Sequence, residues 1–266
     1  MPSVTDAPTL HTVVHEGHGP VALLVHGALG SRSYWAGNIA ALTEVCQPVV
    51  VELWGHGRSP SPADPARYHP DAYVEEFERL RASLGVERWV TIGQSMGAAL
   101  TLRYGLERPE RVIAQVITNS SSAFSGADGW MERNRSIVSP MAAQIEAEGM
   151  EVLRDHWVNP ATSRRIPAEI RALLHAEFDE HTVAGIAASF RHTNGHLPVR
   201  HRLAEVSRPT LLTLGTLEEN FVALVPVARR IPGLEVVELA GGHPVNAQVP
   251  AEWNAAVCEY LRRVAP

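Results

Sequence analysis

Short apolar runs alternate with amphipathic stretches over both ends of the chain. Val21–Val25, Val49–Leu53, Trp89–Ile92, Val112–Thr118, Thr210–Leu214 and Leu234–Leu239 are nearly continuous in apolar residues. Continuous rather than alternating apolarity predicts strands buried on both faces of a parallel sheet. Between the runs, Ser33–Glu44, Asp71–Leu84, Met96–Glu107, Ala223–Ile231 and Pro250–Val264 carry helical spacing. Asp71 stands as an N-cap and Gly85 as a C′ residue for the second of these. Strand–helix alternation of this kind predicts an α/β fold, a doubly wound sheet with helices on both faces. His11–His15 could add an antiparallel edge strand. The alternation breaks between Ser121 and Val206, where Trp130–Ile137, Ala142–Val158, Ile166–Phe178 and His181–Phe190 read as helices and no strand is convincing. An insertion at that point predicts a helical cap over the strand ends, giving a core of residues 1–120 and 206–266 and a cap of 121–205.

Three glycine-rich strings follow predicted strands. Gly93-Gln94-Ser95-Met96-Gly97 lies between the strand Trp89–Ile92 and the helix from Met96. A turn this tight strains the backbone at Ser95, and small flanking residues let strand and helix pass. The hydroxyl then projects at a helix N-terminus, where backbone N–H groups favour developing negative charge. The alternative is an ordinary serine in a strand–helix turn. His26-Gly27-Ala28-Leu29-Gly30 follows Val21–Val25, and the Ala28 N–H beside the Met96 N–H would form an oxyanion hole worth about 3–4 kcal/mol per donor. A phosphate-cradling loop is the rival, but no Gly-Lys-Ser/Thr completes it. His26 reads as structural.

Gly241-Gly242-His243-Pro244 follows Leu234–Leu239, and among the thirteen histidines His243 alone stands at a strand end in the right chain order to accept the Ser95 proton. A further acid must orient that imidazole. Glu218, in the string Gly215-Thr216-Leu217-Glu218-Glu219-Asn220, is the candidate, with Glu219 its rival and Asp128 a more distant one. Leu29, Gln94, Trp130 and Trp157 are candidate substrate contacts, although the two tryptophans and Met141 could equally pack the cap.

These residues carry a resemblance. His26-Gly27 with Gly30, Gly55-His56-Gly57-Arg58-Ser59, the turn at Ser95, Pro109 with Val112, and His243 with Pro250 resemble the α/β-hydrolase superfamily along nearly the whole chain. The resemblance implies an eight-stranded, mostly parallel sheet with a helical cap, and acyl-enzyme chemistry without a cofactor. It also implies a structural role for Gly55-His56-Gly57. Within the superfamily the chain is similar to bacterial enol-lactonases, simple carboxylesterases and non-haem perhydrolases. The stretch Glu148-Gly149-Met150-Glu151-Val152-Leu153, with Trp157 and Pro160, is similar to the 3-oxoadipate enol-lactonase pattern. Two departures stand out: Gly97-Ala98 in place of Gly-Gly, and Glu in place of the usual Asp. A serine nucleophile argues against epoxide hydrolases and haloalkane dehalogenases.

The expectation is therefore a serine hydrolase of a small ester or lactone, with Ser95, His243 and Glu218 as its triad. C–C hydrolases, lyases that make a cyclohexadiene carboxylate, and small-molecule receptors share the architecture. Composition changes this little. A net charge of −6 over 266 residues gives no reason to expect nucleic acid or an anionic membrane. Cys46 and Cys258 lack Cys-x-x-Cys spacing, and the N-terminal Met-Pro-Ser-Val-Thr-Asp lacks the features of a leader, so a reducing, cytoplasmic setting is expected. No apolar run approaches the ~18 residues of a membrane span. The arginines Arg133, Arg135, Arg154, Arg164, Arg165, Arg171, Arg191, Arg200 and Arg202 could include a clamp for a substrate carboxylate. His192, His196 and His201 invite a metal reading, which Asn194-Gly195 argues against. A homodimer is compatible with the sequence.

Overall fold

The computed structural model describes residues 9–265, so the N-terminal stretch read for a leader lies outside the described residues. Seven strands form one sheet: β1 (Thr12–Val14), β2 (Val21–Val25), β3 (Gln47–Val51), β4 (Trp89–Gln94), β5 (Val112–Thr118), β6 (Thr210–Gly215) and β7 (Glu235–Leu239). Their order is β1-β3-β2-β4-β5-β6-β7, with β1 antiparallel to β3 and every other neighbour parallel. The sheet thus has one strand fewer, among the described residues, than the eight the resemblance implies. β1 is a three-residue edge whose Val14 is exposed.

Alternate side chains of the same strand divide the core, as the period of two requires. Leu23 and Val25 pack with Tyr73, Phe77, Leu100 and Tyr104 on one face. Ala22 and Leu24 pack with Leu42, Trp253, Val257 and Leu261 on the other. These partners come from α1 (Ala36–Leu42), α2 (Pro70–Ser83), α3 (Met96–Glu107) and the C-terminal helix Pro250–Val264.

Local chemistry moved some predicted boundaries. β3 begins two residues earlier than expected and stops at Val51, because the amide of Leu53 donates to His26 Nε2 (3.1 Å) rather than to the ladder. α2 starts at Pro70, whose missing N–H suits a first helical turn; His69, not Asp71, is its cap and accepts from Asp71 N.

Between β5 and β6 the described chain is helical. It holds α4 (Ser121–Phe124), α5 (Ala127–Arg133), α6 (Ser139–Glu148), α7 (Ala168–Phe178) and α8 (Val183–Ala188), with a π-helical segment Ser189–Thr193 after α8. The predicted helix over Ala142–Val158 ends at Glu148, where Gly149 takes φ 87°. This insert has its own apolar cluster, including Val138, Ile145, Phe178, Ile186 and Phe190, and that cluster takes in Leu29 from the loop after β2.

Polar bonds fasten the end of α7 to the core. Glu177 accepts from the Ser31 and Ser33 hydroxyls, and Arg32 bridges Glu180 (2.7 Å) and the buried Glu52 (3.1 Å). After β6 the predicted helix Ala223–Ile231 shortens to α10 (Val225–Ala228), preceded by a short α9 (Glu219–Val222) that it does not continue, because Pro226 cannot donate into a continuous ladder. α11 (Val245–Gln248) and α12 (Pro250–Val264) complete the chain. Among the described residues no helix is long and apolar enough to cross a membrane.

Candidate active site

After β2 the chain pairs β3 on one side, and then crosses to place β4 on the other. The loops leaving β2 and β4 therefore diverge, and a crevice opens at their C-terminal ends. The Ala28 loop and Ser95 sit at this crevice. Asn119 follows β5, and the loops holding Glu218 and His243 follow β6 and β7.

Ser95 takes φ 53° and ψ −117°, a region costly for a residue with a Cβ, by roughly 1–3 kcal/mol. Its surroundings over-determine that conformation. Ser95 N donates to Thr118 O (3.0 Å), while Ser95 O accepts from Ser120 Oγ (2.6 Å) and Ala99 N (3.2 Å). A Cβ at Gly93 would stand 2.6 Å from Ala98 Cα, and one at Gly97 would stand 2.6 Å from His26 O. Only glycine lets the strand, the helix and the neighbouring loop approach so closely.

The loop after β2 lies directly against this turn: a Cβ at Gly27 would be 3.0 Å from Ser95 Cβ. His26 is buried and fixes the loop. Its Nε2 accepts the Leu53 amide, so its proton is on Nδ1 and donates to Gly27 O (2.7 Å). Burial depresses its pKa, which keeps the ring neutral in this role. The Gly27 carbonyl and the Ala28 N–H belong to one planar trans peptide and point opposite ways. Holding the carbonyl therefore turns the Ala28 N–H away from His26. Met96, the first residue of α3, offers an amide with no partner in its own helix.

His243 and Glu218 are joined: His243 Nδ1 lies 2.9 Å from both Glu218 carboxylate oxygens. The His243 side chain is 44% exposed and that of Glu218 21% exposed, so the pair lies at an opening rather than in the core. The structure draws no hydrogen bond between Ser95 Oγ and His243; it ties their loops through Gln94 Nε2, which donates to His243 O (3.2 Å). Unliganded triads are often this loose. Glu219 is exposed and makes no bond to His243.

Sequence reasoning missed Asn119. This fully buried residue has φ 21°. Its Nδ2 donates to Glu218 Oε2 (2.7 Å) and reaches Gly242 O (3.4 Å) beside His243, while its Oδ1 accepts from Gly215 N (2.8 Å). One amide thus knits the acid, the histidine loop and the end of β6. Its partners are up to 123 residues away along the chain, so no local motif marks it. The one sequence signal is an asparagine directly after a buried strand, a residue type that tolerates positive φ. Asn119→Ala is expected to remove a hydrogen bond to a charged group, worth about 1.5–3 kcal/mol, and so to lower kcat/KM by about 10–100-fold. Steady-state kinetics alongside thermal unfolding check this.

Other predicted contacts lie elsewhere. Trp157 is 72% exposed and stacks on His156. The Trp130 indole donates to Asn194 O (2.6 Å), with Arg133 over its ring. Among the described residues neither tryptophan makes a hydrogen bond or ring contact with Ser95, Glu218 or His243; Trp130 fits the packing alternative, and Trp157 faces solvent. Leu29 joins the apolar cluster of the insert, and Asp128 is exposed. Of the nine arginines, Arg135, Arg154, Arg191 and Arg202 pair with surface carboxylates. Among the described residues no group of three or more His, Cys, Asp or Glu could hold a metal ion, and His196 stacks on His69 instead.

The family described as alpha/beta hydrolase fold matches residues 20–161. A relative from Pseudomonas savastanoi pv. phaseolicola, which bears the name carbamate hydrolase RutD, is 28% identical over 95% of this chain and 97% of its own length. Another, from Bacillus subtilis, is named for 2-succinyl-6-hydroxy-2,4-cyclohexadiene-1-carboxylate synthase and is 26% identical over 96% of this chain and 95% of its own. Among solved structures, MenH from S. aureus superposes with a TM-score of 0.86 at 20% identity, covering 96% of this chain and 99% of that one. The enol-lactonase from Burkholderia xenovorans LB400 gives 0.80 at 22% identity, covering 95% and 96%. At such identities these two likenesses are of fold alone.

Proposed function

The chain belongs to the α/β-hydrolase fold family and is a hydrolase of that fold; from this premise we propose that it cleaves a small, uncharged carboxylic ester or lactone through an acyl-enzyme at Ser95. The observation that carries the reading is the Glu218 carboxylate on His243 Nδ1, on a loop that Gln94 ties to the strained turn of Ser95. Glu218 keeps the proton of His243 on Nδ1, which leaves Nε2 free to act as base. Nε2 takes the Ser95 proton as Oγ attacks the carbonyl, and the Ala28 and Met96 amides receive the charge on oxygen. His243 then protonates the leaving oxygen. In the second half it deprotonates water, which releases the acid and restores Ser95.

The substrate is read as uncharged because a carboxylate inside the crevice would need a cation. Arg135, Arg154, Arg191 and Arg202 of the insert face carboxylates of the protein instead, and its apolar cluster reaches the loop of Ala28 and Leu29. The test is a panel for the purified protein: short aryl esters, uncharged lactones, a carboxylated enol-lactone, a carbamate and a vinylogous diketone. Turnover of the uncharged esters or lactones, at least tenfold faster than of the carboxylated lactone, is expected. Cleavage of the diketone or the carbamate, with the esters and lactones inert, would overturn the assignment of the bond.

A further inference from the structure

We infer that His181 is a positioning residue through which the insert holds the oxyanion loop. The inference rests on the serine-hydrolase reading, since it concerns the loop that presents the Ala28 amide.

His181 lies between α7 and α8, within the insert, yet it is buried against the core. Its Nδ1 accepts the Gly57 amide at 2.8 Å. The ring proton must then be on Nε2, which donates to Leu29 O at 3.3 Å. Burial pushes its pKa down to about 4, so at neutral pH the ring is uncharged and can both accept and donate. An imidazolium could not accept the Gly57 N–H.

Leu29 is held at φ 53°, in a region that leucine enters only when its neighbours enforce it. Gly30 N closes the turn on Gly27 O (3.1 Å), and two histidines hold its carbonyls. From the core side, His26 Nδ1–H holds the Gly27 carbonyl, and from the insert side, His181 Nε2–H holds the Leu29 carbonyl. Ala28 lies between these two fixed carbonyls. Its amide is therefore aimed by both histidines together with the turn bond from Gly30 N to Gly27 O (3.1 Å). The other bonds at the end of α7 run from Glu177 and Glu180 to Ser31, Ser33, Arg32 and Arg58, and none reaches the Leu29 carbonyl. They fasten the insert; His181 is the side chain of the insert that bonds the Leu29 carbonyl of the loop.

This difference makes the proposal testable with His181→Gln, His181→Asn, His181→Ala and Glu180→Gln. A glutamine Nε2 falls where the histidine Nε2 does and can donate to Leu29 O. An asparagine reaches only the Nδ1 position and can serve only Gly57. Each variant is assayed for kcat and KM on an ester, for the rate at which an alkyl fluorophosphonate labels Ser95 (read by mass spectrometry), and for thermal unfolding. Fluorophosphonate labelling places its phosphoryl oxygen in the same hole as the ester oxygen. Ala and Asn are expected to slow kcat and labelling together by about tenfold or more, with KM changed by less than about threefold. Gln restores both rates to near the wild-type values, and Glu180→Gln leaves them there.

The proposal fails if Asn restores the rates and Gln does not, since Gly57 would then be the bond that matters. It fails equally if Ala labels at the wild-type rate, or if Glu180→Gln slows labelling as much as Ala does. Should the alanine variant not fold, the Gln–Asn contrast decides. A wild-type protein that takes no label at Ser95 would sink the serine-hydrolase reading itself, and this inference with it, which separates that failure from the others.

Discussion

Replacing Ser95 by Ala, or His243 by Ala, is expected to lower kcat by about 10⁴–10⁶-fold, and combining the two is expected to cost little more than either alone. In the proposed mechanism the two side chains act on one proton. Without Ser95 Oγ, no atom at the turn can attack a carbonyl, and His243 has nothing to deprotonate. Without His243 the serine hydroxyl keeps its proton, because nothing else in the crevice is placed to take it: the buried His26 spends both ring nitrogens on Gly27 O and the Leu53 amide. What remains is turnover assisted by substrate binding and the Ala28 and Met96 amides. Thermal unfolding should barely move for His243→Ala, since that side chain is 44% exposed. The measurement is kcat and KM for the three proteins on the best ester of the panel. A Ser95→Ala protein retaining a tenth of wild-type turnover would remove Ser95 from the mechanism.

Glu218→Gln is expected to lower kcat by about 10⁴-fold, as reversal of a histidine tautomer does, while Glu219→Gln stays within about twofold of wild type. Asn119 makes this loss specific. Its Nδ2 donates to Glu218 Oε2, so a glutamine at 218 that keeps this bond puts its NH₂ in the Oε1 place, 2.9 Å from His243 Nδ1. That NH₂ faces Nδ1 as a donor, which drives the ring proton to Nε2. The histidine then presents an N–H to Ser95 where a lone pair is needed. The carboxylate lost is only 21% exposed, so the effect should persist in salt. Parallel kinetics of the two glutamine variants check the assignment, and a loss confined to Glu219→Gln would move the acid by one residue.

Much of this was legible in the chain. Runs such as Val112–Thr118 are buried on both sides, so their apolarity is continuous and their position unmistakable. The strings at Ser95, Ala28 and His243 were legible because tight turns at strand ends demand small residues, and glycine marks them. Glu218 followed from its distance after β6. What stayed hidden depends on partners distant in sequence. β3 stops short of Leu53, whose amide goes to the His26 ring, some twenty residues before the strand. Asn119 and His181 are isolated polar residues, and their contacts at Glu218 and Leu29 lie 99 and 152 residues away. Trp130 and Trp157 were candidates both for ligand contact and for packing of the cap; one is tied to Asn194 and the other faces solvent.

The backbone of Ser95 sets heat resistance against turnover. At φ 53° and ψ −117° a glycine would sit without strain, so the residue proposed as nucleophile is one that a purely thermal selection would discard. Libraries screened only for survival at high temperature should drift toward robust, inert folds at this position. Any stabilised descendant of this chain therefore has to be chosen by assaying turnover in the same round as melting.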